Sequence, residues 1–222
     1  MTIAIIAPHA DDETLGCGGS ILKFKKVNER VCIIQVTDLD KESTKYKHRQ
    51  NQIRKVLEAY DIPSSDYFNL GYGPATLTSG SVSGLISNIS KIFQNIKPNV
   101  VYLPSAADAH SDHFFTFNAG IACCKTFRYQ FVESVFVYET LSETDFGLDP
   151  SKARFSPNWY EEITEELTIK QSILELYDDE IGDHPFPRNS TAVEALAILR
   201  GTQANVKFAE SFQLLKRINT SR

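Results

Sequence analysis

The chain has 222 residues, 42% hydrophobic and 23% charged, a balance that supports a substantial buried core and excludes a disordered or low-complexity polypeptide. A formal net charge of −5 offers no basic field for polyanions and argues against nucleic acid as a partner. No low-complexity, Pro-rich or Ser-rich linker divides the sequence, so one domain over residues 1–222 is expected, and with no run of about 18 apolar residues and no signal-peptide pattern it is expected to be cytoplasmic and without stable membrane insertion.

Residues 3–7, IAIIA, form an apolar run of the buried-strand kind that breaks at Pro8 into a turn carrying His9, Asp11, Asp12 and Glu13. A helix is expected over 14–26, entered through the glycine-rich GCGGS of residues 16–20. The β-branched VCIIQVT of 31–37 gives a second buried strand, and strand, helix, strand makes a right-handed parallel unit. Over 41–59 a polar helix turns Ile53, Val56 and Leu57 inward and Arg49, Arg54 and Lys55 into a basic face that is expected to be solvated. That face could otherwise steer an acidic substrate group towards the crevice.

A third strand is expected at 67–72, a Ser/Gly loop near 76–85, a helix at 82–94 and a fourth strand at 100–103. Pro104 then leads into DAHSDH, residues 108–113, and a helix running from Ser111 through Phe114, Phe117 and Ile121. Residues 132–140 read as a fifth strand. The last third is less regular, with an edge strand over 154–160, a helix over 160–177, the loop GDHPFPRNST and a helix from Ala192 continuing past Gly201. Alternating β and α elements imply an α/β, Rossmann-like three-layer fold with a mainly parallel sheet.

The two polar clusters both follow strands, where open α/β sheets bind ligands. One imidazole and a spaced carboxylate suit a borderline cation such as Zn²⁺, whose catalytic sites take three protein ligands and keep one position open. The first cluster lacks a third ligand, and the only other dense His/Asp cluster is DAHSDH. If His9 and Asp12 bind from one turn, Asp11 is left free as a base for water attacking a carbonyl. His110 and His113 are three apart, so one can bind metal while the other, held by Asp112 or Asp108, addresses the substrate as an acid or oxyanion donor.

Together, PHADDE at residues 8–13 and HSDH at 110–113 resemble the PHPDDE and HxDH motifs of the LmbE-like (PIG-L) family of zinc-dependent N-deacetylases. The resemblance implies Zn²⁺ on His9, Asp12 and His113, Asp11 as general base, and His110, oriented by Asp112, as transition-state stabiliser. RGTQANVKFAESF, residues 200–212, is similar to the family's RG…AE.F ending, so the likeness spans most of the chain. It implies a small-molecule partner, an N-acetylated amino sugar or conjugate, and leaves the aglycone and homo-oligomer formation open. Ala10 stands for the usual proline, and Gln52 for an acidic residue three places after Arg49, which bears on substrate contacts rather than metal.

Two other classes compete. A metal-dependent phosphoesterase usually needs a larger carboxylate/His set. A non-catalytic carbohydrate- or nucleotide-binding module would use the glycines as a phosphate cradle, but G-x-G-x-x-G is absent and three acids precede the turn. Cys17, Cys32, Cys123 and Cys124 form no CxxC pair and are expected to be reduced and buried, Cys17 packing at a helix start rather than binding metal. Glu13 reads equally as support for a ligand or as a helix-start acid, His48 as solvated, and His184 as a residue of a pocket rim.

Overall fold

The structure is a computed structural model that describes residues 1–151 and 153–219. Strand β1 (Thr2–Ala7) is followed by α1 (Asp12–Lys26), β2 (Arg30–Thr37), α2 (Tyr46–Ala59), β3 (Tyr67–Tyr72), α3 (Val82–Ile96), β4 (Val100–Pro104), α4 (Ser111–Ala122) and β5 (Ser134–Tyr138). The chain then runs through β6 (Trp159–Glu162), α5 (Leu167–Leu174), α6 (Ser190–Ala204) and β7 (Ala209–Arg217). Among the described residues seven strands join one sheet in the order β3-β2-β1-β4-β5-β7-β6. The first five are parallel, and β7 pairs antiparallel with both β5 and β6.

Because side chains alternate along a strand, β1 feeds two cores. Ile3 and Ile5 pack with residues of α1, α2, α5 and α6, whereas Ala4 and Ile6 pack with α3 and α4. Both faces are covered, as a parallel sheet requires, and the result is the expected three-layer α/β arrangement. Among the described residues no helix is long and apolar enough to cross a membrane.

The last third departs from expectation. The edge strand begins only at Trp159, beyond Pro157, and ends at Glu162, so the helix expected over 160–177 is confined to Leu167–Leu174. The sequence reading places no strand over Ala209–Arg217, because Glu210 and Ser211 are polar where a core strand should be apolar. Both are buried, at 5% and 2% exposure. Glu210 accepts the N–H groups of Gly19 (2.7 Å) and Ser20 (2.8 Å), the Ser20 hydroxyl (2.6 Å) and the Lys170 ammonium (2.8 Å), while Lys170 also donates to the Leu15 carbonyl (2.8 Å). Every charge in this buried cluster is answered, which is the condition under which it holds α1, α5 and β7 together.

The glycines of α1 serve packing. A Cβ on Gly16 would enter the ring of Tyr138, and on Gly19 it would meet Ile163. Cys17 is fully buried in the same core, and burial pushes its thiol pKa up, so it is an inert packing residue.

Candidate metal centre

The strand order reverses at β1, which has β2 on one side and β4 on the other, and ligand crevices in open α/β sheets form at such switch points. The loops after β1 and β4 meet there. The first is anchored by Thr37, whose N–H (2.9 Å) and hydroxyl (2.8 Å) both donate to the Pro8 carbonyl. Asp11 then adopts φ 117°, on the left-handed side that non-glycine residues rarely occupy, and its carbonyl accepts the N–H groups of Thr14 and Leu15 to start α1. Glu13 holds this turn from beneath: buried, it accepts the Asp11 N–H (3.1 Å), the Thr14 hydroxyl (2.8 Å) and the Tyr177 hydroxyl (2.9 Å).

Ligand atoms of His9, Asp12 and His113 lie within 4.8 Å of one another. Asp12 Oδ2 is 3.3 Å from His9 Nδ1 and 3.3 Å from His113 Nε2. His113 Nε2 is buried and has no hydrogen-bond partner, so a donor atom of the right type faces the centre of the group unsatisfied. Each imidazole is backed by a carboxylate on its other nitrogen: Asp112 Oδ2 is 3.1 Å from His9 Nε2, and Asp108 Oδ2 is 2.7 Å from His113 Nδ1. Carboxylate-backed imidazoles with a nitrogen left over are the usual construction of a metal site, and two imidazoles with one carboxylate fit a borderline divalent cation. A second group, His9, His110 and Asp112, overlaps the first through His9 but has no buried nitrogen left without a partner.

The electrostatics agree. Burial opposes a charge on His9, yet its hydrogen bonds to Asp112 and Asp12 raise its pKa to about 9. Burial likewise opposes a charge on His113, but the nearby Asp12 charge and the Asp108 hydrogen bond raise it to about 10. Asp12, against its own burial, is held far below the usual carboxylate range by His113 and His9. The cluster is built to hold positive charge between its imidazoles and one carboxylate.

Asp11 lies outside this trio, with burial first and Asp12 second pushing its carboxyl pKa up and Arg188, 3.0 Å away, opposing them. His110 caps α4, its Nδ1 accepting the Asp112 N–H at 3.1 Å. Burial and then His9 lower its pKa, which favours the neutral ring. The expected grip of Asp112 on His110 is through that backbone amide. Its carboxylate, 3.8 Å from His110 Nδ1, instead serves His9 and accepts the Ala75 N–H at 2.7 Å.

A cavity of about 250 Å³ opens beside these groups, lined also by Gln35, Thr37, Asp38, Glu143, Arg49, Glu180 and Arg188. Arg49 corrects the reading of a solvated basic face: it is 7% exposed, donates to the Ala10 carbonyl (3.2 Å) and pairs with Asp179 (3.2 Å) and Glu180, while Arg54 and Lys55 stay outside. Gln52, standing where an acid was expected, donates to Asp178 (2.7 Å) and Asp179 (2.8 Å), so the acids facing α2 come from after α5. His48 is exposed and pairs with Asp178 (2.7 Å). His184 lines a neighbouring cavity with Asp183 and Asn189 and does not reach the crevice.

Sequence reasoning singled out none of Arg188, Glu180 and Glu143, although the loop over 182–191, read as a pocket rim, is the one that brings Arg188 to the cavity. Glu143 accepts the His110 N–H at 3.1 Å, and nothing in its local sequence signals that role.

The model of the family described as "PIG-L: GlcNAc-PI de-N-acetylase" matches residues 4–124. The uncharacterized deacetylase YaiS of Escherichia coli (strain K12) is 25% identical over 178 residues, covering 78% of this chain and 88% of the relative. The N,N'-diacetylchitobiose deacetylase from Pyrococcus horikoshii, solved with its inhibitor MPG, superposes with a TM-score of 0.78 at 18% identity over 97% of this chain and 84% of that one. GalB, the 4-carboxy-2-hydroxymuconate hydratase of Pseudomonas putida KT2440, shares the fold with a TM-score of 0.76 at 13% identity, over 100% and 98% of the two chains. A hydratase among the likenesses means that the fold by itself leaves the reaction open, and the site must decide it.

Proposed function

The chain belongs to the PIG-L family, and on that premise we propose that it is a metal-dependent N-deacetylase that hydrolyses the acetamide of an N-acetylated amino sugar or sugar conjugate to acetate and a free amine. The cation is Zn²⁺, held by His9, Asp12 and His113. The observation that carries this reading is the meeting of those three donors with Asp11, a fourth group of the same turn that is free of the trio.

Bound there, Zn²⁺ would supply Lewis-acid polarisation of the amide carbonyl and water acidic enough to lose a proton near neutral pH. The protein does the rest. Asp11 accepts the proton, its carboxyl made more basic by burial and by Asp12, and Arg188 and Glu13 hold the side chain and the turn in place. His110, with Nδ1 occupied by the Asp112 amide, carries its neutral-form proton on Nε2 and donates it as a hydrogen bond to the oxygen that gains charge in the tetrahedral transition state. Asp11 then returns its proton to the departing nitrogen.

Amine release from a panel of N-acetylated sugars, free, glycosidic and nucleotide-linked, tests the reading. Release that a chelator silences and Zn²⁺ restores is the expected result; release indifferent to chelator, or a blank across the panel, would refute it.

A further inference from the structure

The cavity beside the metal centre is lined by five carboxyl groups, Asp11, Asp12, Asp38, Glu143 and Glu180, against two guanidinium groups, Arg49 and Arg188. The charge of each guanidinium is already matched by carboxylates, although Arg188 stays partly exposed on the cavity wall. Arg49 is taken up by Glu180, by Asp179 at 3.2 Å and by the Ala10 carbonyl at 3.2 Å. Arg188 is taken up by Asp11 at 3.0 Å and by Glu180 at 3.4 Å. A divalent cation would be answered by Asp12 and by the one negative charge that Asp11, Glu180 and Asp179 together carry beyond the two guanidinium groups. What is left without a counter-charge is acidic: neither Asp38 nor Glu143 has an ion-pair partner among the described residues.

These two are oriented rather than adrift. Asp38 is fixed by the side-chain amides of Asn69 (2.5 Å) and Gln50 (3.0 Å) and by the Leu39 N–H (2.8 Å), while Glu143 accepts the His110 N–H (3.1 Å). Burial raises the carboxyl pKa of Glu143, so the repulsion of anions falls chiefly to Asp38, whose amide donors preset its direction and suit it to accept hydrogen bonds from hydroxyl or ammonium groups. Resting on the deacetylase reading above, we propose that this cavity selects uncharged or amine-bearing N-acetylated sugars and disfavours conjugates with an anionic substituent, Asp38 being the specificity-determining residue.

The test compares a methyl glycoside of N-acetylglucosamine with its 6-sulfate, a permanent anion that is a poor ligand for zinc. At low ionic strength the neutral glycoside should have a kcat/KM at least roughly tenfold higher. That gap should narrow in Asp38→Asn and on adding salt. An equal or better sulfated substrate, or a gap that Asp38→Asn leaves unmoved, overturns the proposal. Should no N-acetylated sugar be turned over, the deacetylase reading fails by itself, and the selectivity is judged by calorimetry on glucosamine and glucosamine 6-sulfate. Tighter binding of the unsulfated amine supports the proposal, and equal binding, or none of either, overturns it.

Discussion

Replacing Asp108 by asparagine asks whether the carboxylate behind His113 sets the strength of the metal site. Both side chains are fully buried, and Asp108 Oδ2 takes the His113 Nδ1–H at 2.7 Å, which leaves Nε2 as the nitrogen free for a cation. The other oxygen takes the Thr144 hydroxyl at 2.7 Å, and Thr144 in turn accepts the Thr140 N–H at 2.8 Å, so the carboxylate has a fixed orientation. Asparagine has the same shape, but it removes the charge and can offer its one oxygen to only one of these two partners. Loss of such an outer carboxylate costs ~10–100-fold in metal affinity, about 1.4–2.7 kcal/mol. Competition with a chromophoric chelator measures this on protein shown by circular dichroism to be folded. A zinc affinity within about twofold of the unmodified protein would refute the reasoning, because an unperturbed site would not need the Asp108–His113 bond.

Asp11→Asn should lower amine release by ~10²–10⁴-fold while zinc content, read by elemental analysis, stays the same; a loss of zinc in parallel would make Asp11 a ligand rather than a base. In the metal-free protein His9 and His113 titrate at about 9 and about 10, above their ordinary value of 6.5. Their stabilising contribution is therefore complete below pH 6.5 and lost as pH rises through 9 to 10, so the Tm of the metal-free form should fall over that window. Zinc must displace the same protons, so its apparent affinity should rise over the window, and a flat affinity profile would contradict the two pKa shifts. Gly16→Ala places a methyl group in the ring of the buried Tyr138, and overpacking of this kind should cost about 1–3 kcal/mol in denaturant unfolding. An unchanged midpoint would show that the ring can move aside.

The parts of the molecule that were legible in the sequence are those where one local signal decides. The runs in β1, β2 and β4 are buried on both faces and so read as uninterrupted apolar stretches, and the polar turns after β1 and β4 stand out against them. Legibility fails where a residue's meaning depends on a distant partner. Arg49 sits among exposed neighbours on α2 and reads as solvated, yet Asp179 and Glu180 draw it into the crevice. Which carboxylate backs which imidazole depends on how the 105–110 loop folds back, and it assigns Asp108 to His113 and Asp112 to His9. β7 was hidden because its inward-facing Glu210 answers donors on α1 and α5, and polarity at a buried position erases the alternation that marks a strand.

That glutamate ties together stretches of chain 190 residues apart. The portion matched by the family model ends at residue 124, and both ends of the Lys170–Glu210 brace lie beyond it. A fragment cut at that boundary would keep all three imidazoles of the crevice and lose the grip on the helix that carries Asp12. The chemistry is written in the front half of the polypeptide, but its rigidity is on loan from the back.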